Sequence, residues 1–195
     1  MFSKNHLKTL TPTQRLTYMA LFVALALLLG AVPSPPPTHG FFKLVALPLI
    51  LSGLILGPKA GFWVGALSDI LGYFLYPSGP YFPLFTLTQA LTGALPAWFL
   101  GGSGNGAPSW RRLCAAIACS QGLTKLILVP LGYHLLYQTT PSLLLSWITI
   151  ASASLPTQLL HVPLYASLCG WVLRAQAQVE GRESTSPFPS PASTP

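Results

Sequence analysis

The sequence predicts an all-α polytopic membrane protein: a six-transmembrane-helix bundle with the N- and C-termini cytoplasmic. Composition is the first reason, because 51% of the 195 residues are hydrophobic and only 7% are charged. A soluble domain normally carries about 25% charged residues, so lipid must cover most of this chain. The second reason is that six apolar segments approach the roughly 20 residues that span the hydrocarbon layer. The basic residues lie singly or in pairs between these segments, which excludes a nucleic-acid-binding face.

The first apolar segment, residues 16–32, has basic residues before it and small residues after it, as a secretory signal peptide does. However, a mostly polar stretch precedes it, and five more spanning segments follow. We therefore expect a retained first helix rather than a cleaved signal.

The other five segments follow in order, at residues 42–56, 61–75, 85–100, 113–136 and 143–173. The second is short and is interrupted by Pro48, and the sixth is long and contains Pro156 and Pro163. Proline kinks a membrane helix, and neighbouring helices can satisfy the backbone groups that it frees. The pattern therefore predicts six helices, of which the last is bent.

The basic residues predict the orientation, since loops on the cytoplasmic side are enriched in Lys and Arg. With the N-terminus inside, Lys43 alone faces outward. The basic residues then placed in the cytoplasm are Lys4, Lys8, Arg15, Lys59, Arg111, Arg112, Arg174 and Arg182. The chain thus divides into a six-helix membrane domain, residues 1–174, and a cytoplasmic tail, residues 175–195, whose Ser, Thr and Pro content predicts disorder.

Two charged residues fall inside the apolar segments: Asp69 in the third and Lys125 in the fifth. A charge at membrane depth costs about 3 kcal/mol or more, so each needs a partner or a water-filled cavity. Their depths are similar, which allows a structural ion pair. Alternatively, Lys125 meets an anionic ligand group from outside. Proton coupling has less support, because no series of His, Asp or Glu crosses the segments.

Aromatic and polar residues concentrate at the outer end of the predicted bundle. Interfacial aromatics form belts in most membrane proteins, but their concentration at one end favours a pocket. Aromatic walls with a few hydrogen-bonding groups suit a flat heterocycle. The cluster comprises Phe41, Phe42, Tyr73, Tyr76, Tyr81, Phe82, Thr86, Thr88, Gln89, Tyr133, His134 and Tyr137.

Motifs for catalysis are missing from the sequence. There is no GxSxG nucleophile elbow, no HExxH metal motif and no Walker A loop. We expect no enzyme activity, no cofactor and no metal site. The competing classes are a small intramembrane enzyme that uses Asp69 or His161, which predicts turnover by the purified chain, and a scaffold protein, which predicts neither turnover nor binding.

The run GPKAGFWVGALSDILGYFLYPSGPYFPLFTLTQALTGALPAWFLG, residues 57–101, resembles the substrate-binding (S) components of energy-coupling factor (ECF) transporters, in particular the folate-type group. The first helix, TQRLTYMALFVALALLLG, is also similar, since it carries an AxxxA pattern at Ala20 and Ala24. These stretches together cover residues 13–101.

The resemblance implies a multi-pass protein of the cell membrane that captures a vitamin from outside. It also implies partners: a transmembrane coupling subunit, which docks on Ala20 and Ala24, and two ATPase subunits. For a folate-like heterocycle, the expected ring contacts are Phe42, Tyr81, Phe82 and Tyr133. Hydrogen bonds are expected from Thr88, Gln89 and His134, and a carboxylate contact from Lys43 or Lys125. Related S components take other vitamins or precursors, including pantothenate, thiamine precursors and queuosine precursors, so these stay alternatives.

Overall fold

The computed structural model describes residues 11–32, 44–77, 80–101, 108–137 and 143–185. Within these ranges every regular element is a helix. They are α1 (Pro12–Ala31), α2 (Ala46–Leu56), α3 (Pro58–Leu75), α4 (Pro83–Leu100), α5 (Trp110–Gln121), a π-helical segment (Gly122–Leu128), α6 (Val129–Tyr137) and α7 (Leu143–Thr185). The predicted all-helical fold is confirmed for the described part of the chain.

Helix α1 begins four residues before the predicted start because Thr11 caps it. The Thr11 hydroxyl accepts from the Gln14 N–H at 3.3 Å, and the Gln14 side chain accepts from the Thr11 N–H at 3.0 Å. This reciprocal pair is a capping box. Further along α1, the Arg15 guanidinium donates to the Leu56 carbonyl at 2.9 Å, which ties the start of α1 to the end of α2.

Helices α2 and α3 are joined directly through Gly57, whose φ of 95° suits glycine and few other residues. Pro48 falls in the first turn of α2, where its missing N–H removes no helical hydrogen bond. Pro58 opens α3 for the same reason. The predicted break at Pro48 is therefore a helix start, and residues 42 and 43 of the predicted segment lie outside the described residues.

Helices α2, α3 and α4 approach one another closely enough at four glycines for backbone to meet backbone. A Cβ added at Gly65 of α3 would overlap the Gln89 carbonyl oxygen of α4, and one added at Gly61 or Gly53 would overlap the Gly93 carbonyl. Small residues of this kind allow close helix approach in lipid. We call Gly53, Gly61, Gly65 and Gly93 the glycine seam.

A second packing centre joins α2, α5 and α7. Ile50, Leu113, Ile117, Tyr165 and Cys169 form its buried core. The His161 ring stacks on Tyr165 at a centroid distance of 5.2 Å and is buried with it. The core therefore lies among these helices, and Phe22 of α1 packs against it.

Large apolar side chains cover the exterior, among them Leu28, Phe74, Trp98, Leu159 and Trp171. Soluble monomers rarely expose apolar surface so widely. By length and apolarity, Pro12–Ala31 and Trp110–Leu136 could each cross a membrane, and Ala46–Leu56 is apolar but shorter.

Helix α7 continues to Thr185, past residue 174, where the predicted membrane domain ends. The added stretch is rich in Ala, Gln, Arg and Glu, which favour helix. Its 43 residues correspond to a length of about 65 Å at 1.5 Å per residue, about twice the hydrocarbon thickness. The last ten residues of the chain lie outside the described residues.

Candidate functional site

Asp69 of α3 is held by a hydrogen-bonded row that begins in the connection before α4. The Thr86 hydroxyl donates to Asp69 Oδ2 at 2.6 Å. Since that donation uses the only hydroxyl hydrogen of Thr86, the Tyr81 O–H must donate to the Thr86 oxygen, 2.9 Å away. The Tyr81 ring also packs against Tyr73 at a centroid distance of 5.2 Å. The row therefore links predicted residue Tyr81 to the charge in α3.

Lys125 lies in the π-helical segment and is half-buried. Its charge interacts electrostatically with that of Asp69, although the described residues include no direct ion pair between the two. The Asp69 charge thus stabilises the Lys125 charge without direct contact. The hydrogen-bond partner of Asp69 is Thr86. This arrangement leaves the ammonium group without a direct ionic partner among the described residues.

An aromatic row connects α4 to α6. The Phe82 ring meets Phe85 at a centroid distance of 5.9 Å, and Phe85 meets Tyr133 at 5.3 Å. Gly132 makes room for this contact, because a Cβ there would lie 3.0 Å from a Phe85 ring carbon. The structure thus brings the predicted residues Phe82 and Tyr133 together through Phe85, which the sequence reasoning missed. The i, i+3 spacing of Phe82 and Phe85 was the available signal.

A buried polar cluster lies between α4 and the helix that carries Lys125. The Thr92 hydroxyl approaches the Thr124 hydroxyl at 3.5 Å, and each also donates to a carbonyl one turn earlier in its own helix. Beside Thr124, the Ser120 hydroxyl and the Gln121 amide nitrogen have no hydrogen-bond partner within the described part of the chain. Both side chains are buried, Gln121 with 2% exposed.

Gln121 was also missed from the sequence, although the polar run SQGLTK inside an apolar segment marks it. It precedes Lys125 by four residues, so the two share a helix face. A buried amide without a partner is costly unless something else supplies one. Gln121 is therefore the strongest additional candidate for a ligand contact.

The remaining predicted residues occupy different positions. The Thr88 hydroxyl donates to the Phe85 carbonyl of its own helix at 2.6 Å, and the residue is 2% exposed. Gln89 is half-buried in α4, and its carbonyl oxygen lies in the glycine seam. His134 is half-buried in α6, next to Tyr133. Phe42 and Lys43 lie outside the described residues.

Ala20 and Ala24 are both exposed on α1, one turn apart. Their small side chains are flanked by exposed Leu21 and Leu25. This face of α1 is uncovered by the rest of the described chain.

Comparisons with known proteins add three findings. A model of the family described as "ECF transporter, substrate-specific component" matches residues 14–172. The folate transporter FolT of Clostridium novyi (strain NT) is 37% identical over 81 residues, which span 40% of this chain and 45% of that protein, less than half of the relative's length. A crystal structure of FolT bound with folic acid superposes with a TM-score of 0.67 at 22% identity, over 84% of this chain and 96% of that one, which shows a shared fold.

Proposed function

Because the chain belongs to the family of ECF transporter substrate-specific components, we propose that it captures a folate-like vitamin from outside the cell for ATP-driven import. The family is a transport component and not an enzyme, so the intramembrane enzyme considered from the sequence is set aside. The scaffold alternative is set aside for the same reason.

The proposed orientation has six membrane spans in the cell membrane, with both termini in the cytoplasm. The exposed apolar side chains around the bundle support a lipid-covered surface. The excess of Lys and Arg on one side supports cytoplasmic termini. In this orientation the start of α3 faces the cytoplasm, and Tyr81, Phe82 and Tyr133 lie toward the outside.

The observation that carries the ligand class is that the π-helical segment with Lys125 runs directly into α6, whose Tyr133 belongs to the aromatic row. Phe82, Phe85 and Tyr133 offer ring faces for a flat heterocycle. Lys125 offers a positive charge for a carboxylate. Folic acid combines these two features, and the relatives named FolT support the same choice.

Hydrogen bonds would come from Gln121, His134 and Gln89. Thr88 is a weaker candidate than the sequence suggested, because its hydroxyl is already used within α4. Phe42 and Lys43 remain proposed contacts from the sequence. Pantothenate, a thiamine precursor or a queuosine precursor remain the alternative ligands.

The proposed partners are a transmembrane coupling subunit and two ATPase subunits. The exposed pair Ala20 and Ala24 supports docking of the coupling subunit on α1, since small residues let another helix approach closely. Neither ATP binding nor energy coupling is proposed for this chain alone.

Ligand analysis of the detergent-purified chain tests this proposal. Denaturing extraction and mass spectrometry would identify a co-purified vitamin, and tryptophan fluorescence would then be titrated with a panel of vitamins. Saturable quenching by folic acid supports the proposal. Tight binding of another vitamin would replace folate as the ligand, and a folded protein that binds none of the panel would contradict vitamin capture.

A further inference from the structure

The helix that carries Lys125 changes its hydrogen-bond pattern shortly before Pro130. Over Gly122–Leu128 it is π-helical, and at the end of this segment the Val129 N–H donates to the Thr124 carbonyl, five residues back. An α-helix would pair Val129 with the residue four back. Since π turns are rare and concentrate at functional sites, this one needs a physical cause.

Pro130 supplies that cause. Proline lacks an N–H, and in an α-helix its ring clashes with the carbonyl four residues earlier, which here belongs to Leu126. A wider π turn relieves the clash. However, Leu126 then lacks the donor that residue 130 would normally provide. Leu126 is half-buried, and a carbonyl left without a partner away from water is costly.

Trp147 of α7 provides the missing donor. Its indole N–H donates to the Leu126 carbonyl. The indole nitrogen can only donate, so it gives the Leu126 carbonyl a donor in place of the α-helical one that proline lacks. This bond joins α7 to the residue directly after Lys125, although the Trp147 ring itself is 44% exposed.

We propose that Pro130 and Trp147 together fix the π turn and so position Lys125 for the anionic group of the ligand. A π turn holds one residue more than an α turn. Relaxing it would rotate Lys125 relative to Tyr133 by roughly 100°. Trp147 is thus a positioning residue that acts through the Leu126 carbonyl. The ligand part of this inference rests on the proposed function, whereas the pairing of Pro130 with Trp147 does not.

A double-mutant cycle tests the pairing. The variants are Trp147→Phe, which keeps the ring and removes the donor, Pro130→Ala, which restores an N–H for Leu126, and the two combined. The probes are folic acid, which carries carboxylates, and pterin, which carries none. Trp171→Phe is the matched control, because that ring is 72% exposed on the same helix.

The expected result for Trp147→Phe is about a tenfold weaker affinity for folic acid, with pterin affinity nearly unchanged. Pro130→Ala alone also weakens folic acid, because Lys125 is displaced. Adding Trp147→Phe to Pro130→Ala then costs nothing further, since Leu126 already has a backbone donor. Additive losses, or equal losses for both probes, would overturn the proposal.

A second experiment tests the pairing of Pro130 with Trp147 separately from the proposed ligand. It follows hydrogen exchange of the indole N–H by NMR on ¹⁵N-tryptophan-labelled protein without ligand. The Trp147 N–H should exchange slowly in the unmodified protein and rapidly in Pro130→Ala. That result supports the pairing of Pro130 with Trp147 even if neither probe binds. Failure of both probes to bind would contradict only the proposed ligand. Equal exchange rates in the two proteins would overturn the pairing.

Discussion

Thr86 of α4 donates a 2.6 Å hydrogen bond to Asp69 of α3, and the same hydroxyl accepts from Tyr81. The carboxylate is therefore satisfied mainly by a neutral neighbour, while Lys125 contributes through space. Under the proposed function, an arriving ligand carboxylate would not have to displace a direct ion pair to reach Lys125. The row also links this charged centre to Tyr81, in the connection between α3 and α4.

Thr86→Val should destabilise the ligand-free protein by about 1–3 kcal/mol, because the half-buried Asp69 carboxylate loses its donor. Thr86→Ser keeps the hydroxyl and is the matched control. The measurement is thermal unfolding in detergent. Equal melting temperatures for the two variants would mean that the hydrogen bond does not stabilise the fold.

Lys125→Met should weaken folic acid binding by at least about tenfold, because one charge-assisted contact contributes about 1.5–3 kcal/mol. Lys59→Met is the matched control, since Lys59 is exposed in the first turn of α3. Affinities are measured by quenching of tryptophan fluorescence. A Lys125→Met protein that binds as tightly as Lys59→Met would remove Lys125 from the site.

Gln121→Leu should leave the ligand-free melting temperature unchanged or raise it, because a buried amide nitrogen without a partner is replaced by an apolar group. If Gln121 contacts the heterocycle, the same change should weaken pterin and folic acid alike. Calorimetry and ligand titration on one preparation measure both effects. Lower stability with unchanged affinity would assign Gln121 a structural role only.

Gly65→Ala should lower the melting temperature strongly, because the added methyl group would overlap the Gln89 carbonyl in the glycine seam. Gly72→Ala in the same helix is the control, since its added Cβ would meet only a Leu27 methyl group at 3.6 Å. Alanine favours helix by up to about 1 kcal/mol over glycine, so Gly72→Ala should be neutral or stabilising. Similar losses at both positions would argue against the seam.

The double variant Ala20→Leu/Ala24→Leu should bind the ligand with unchanged affinity. It should reduce uptake of the ligand when the partner subunits are co-expressed. The larger side chains would keep a docking helix at a distance. Ala118→Leu, at an exposed alanine of α5, is the control. Unimpaired uptake by the Ala20/Ala24 variant would exclude this face as the docking surface.

Much of the helical architecture could be predicted, because long apolar segments fix where helices form. Where a helix boundary differs from its predicted position, the cause is local. The capping box at Thr11 starts α1 earlier than predicted, and the helix-favouring residues after Arg174 extend α7. Tyr81, Phe82 and Tyr133 were predicted to contact one ligand ring; in the structure Tyr81 bonds Thr86, whereas Phe82 and Tyr133 both contact Phe85.

The rest depended on contacts between helices, which a single sequence does not reveal. Asp69 has Thr86 as its hydrogen-bond partner because α3 and α4 approach closely along the glycine seam. The π turn at Lys125 depends on a donor from Trp147, which lies 21 residues after Leu126 in the chain. Pro130 could have suggested an irregular helix, but not which carbonyl would be freed or what would satisfy it.

The glycine seam also gives the molecule uneven stiffness. At the four seam glycines α2, α3 and α4 meet through backbone, so no side chain there can change rotamer to let the helices shift. Lys125, by contrast, lies in a π turn that one indole hydrogen bond stabilises. Such a turn can narrow or widen when a single hydrogen bond forms or breaks. We therefore expect ligand-induced strain to be absorbed by α5, α6 and α7 rather than at the glycine seam.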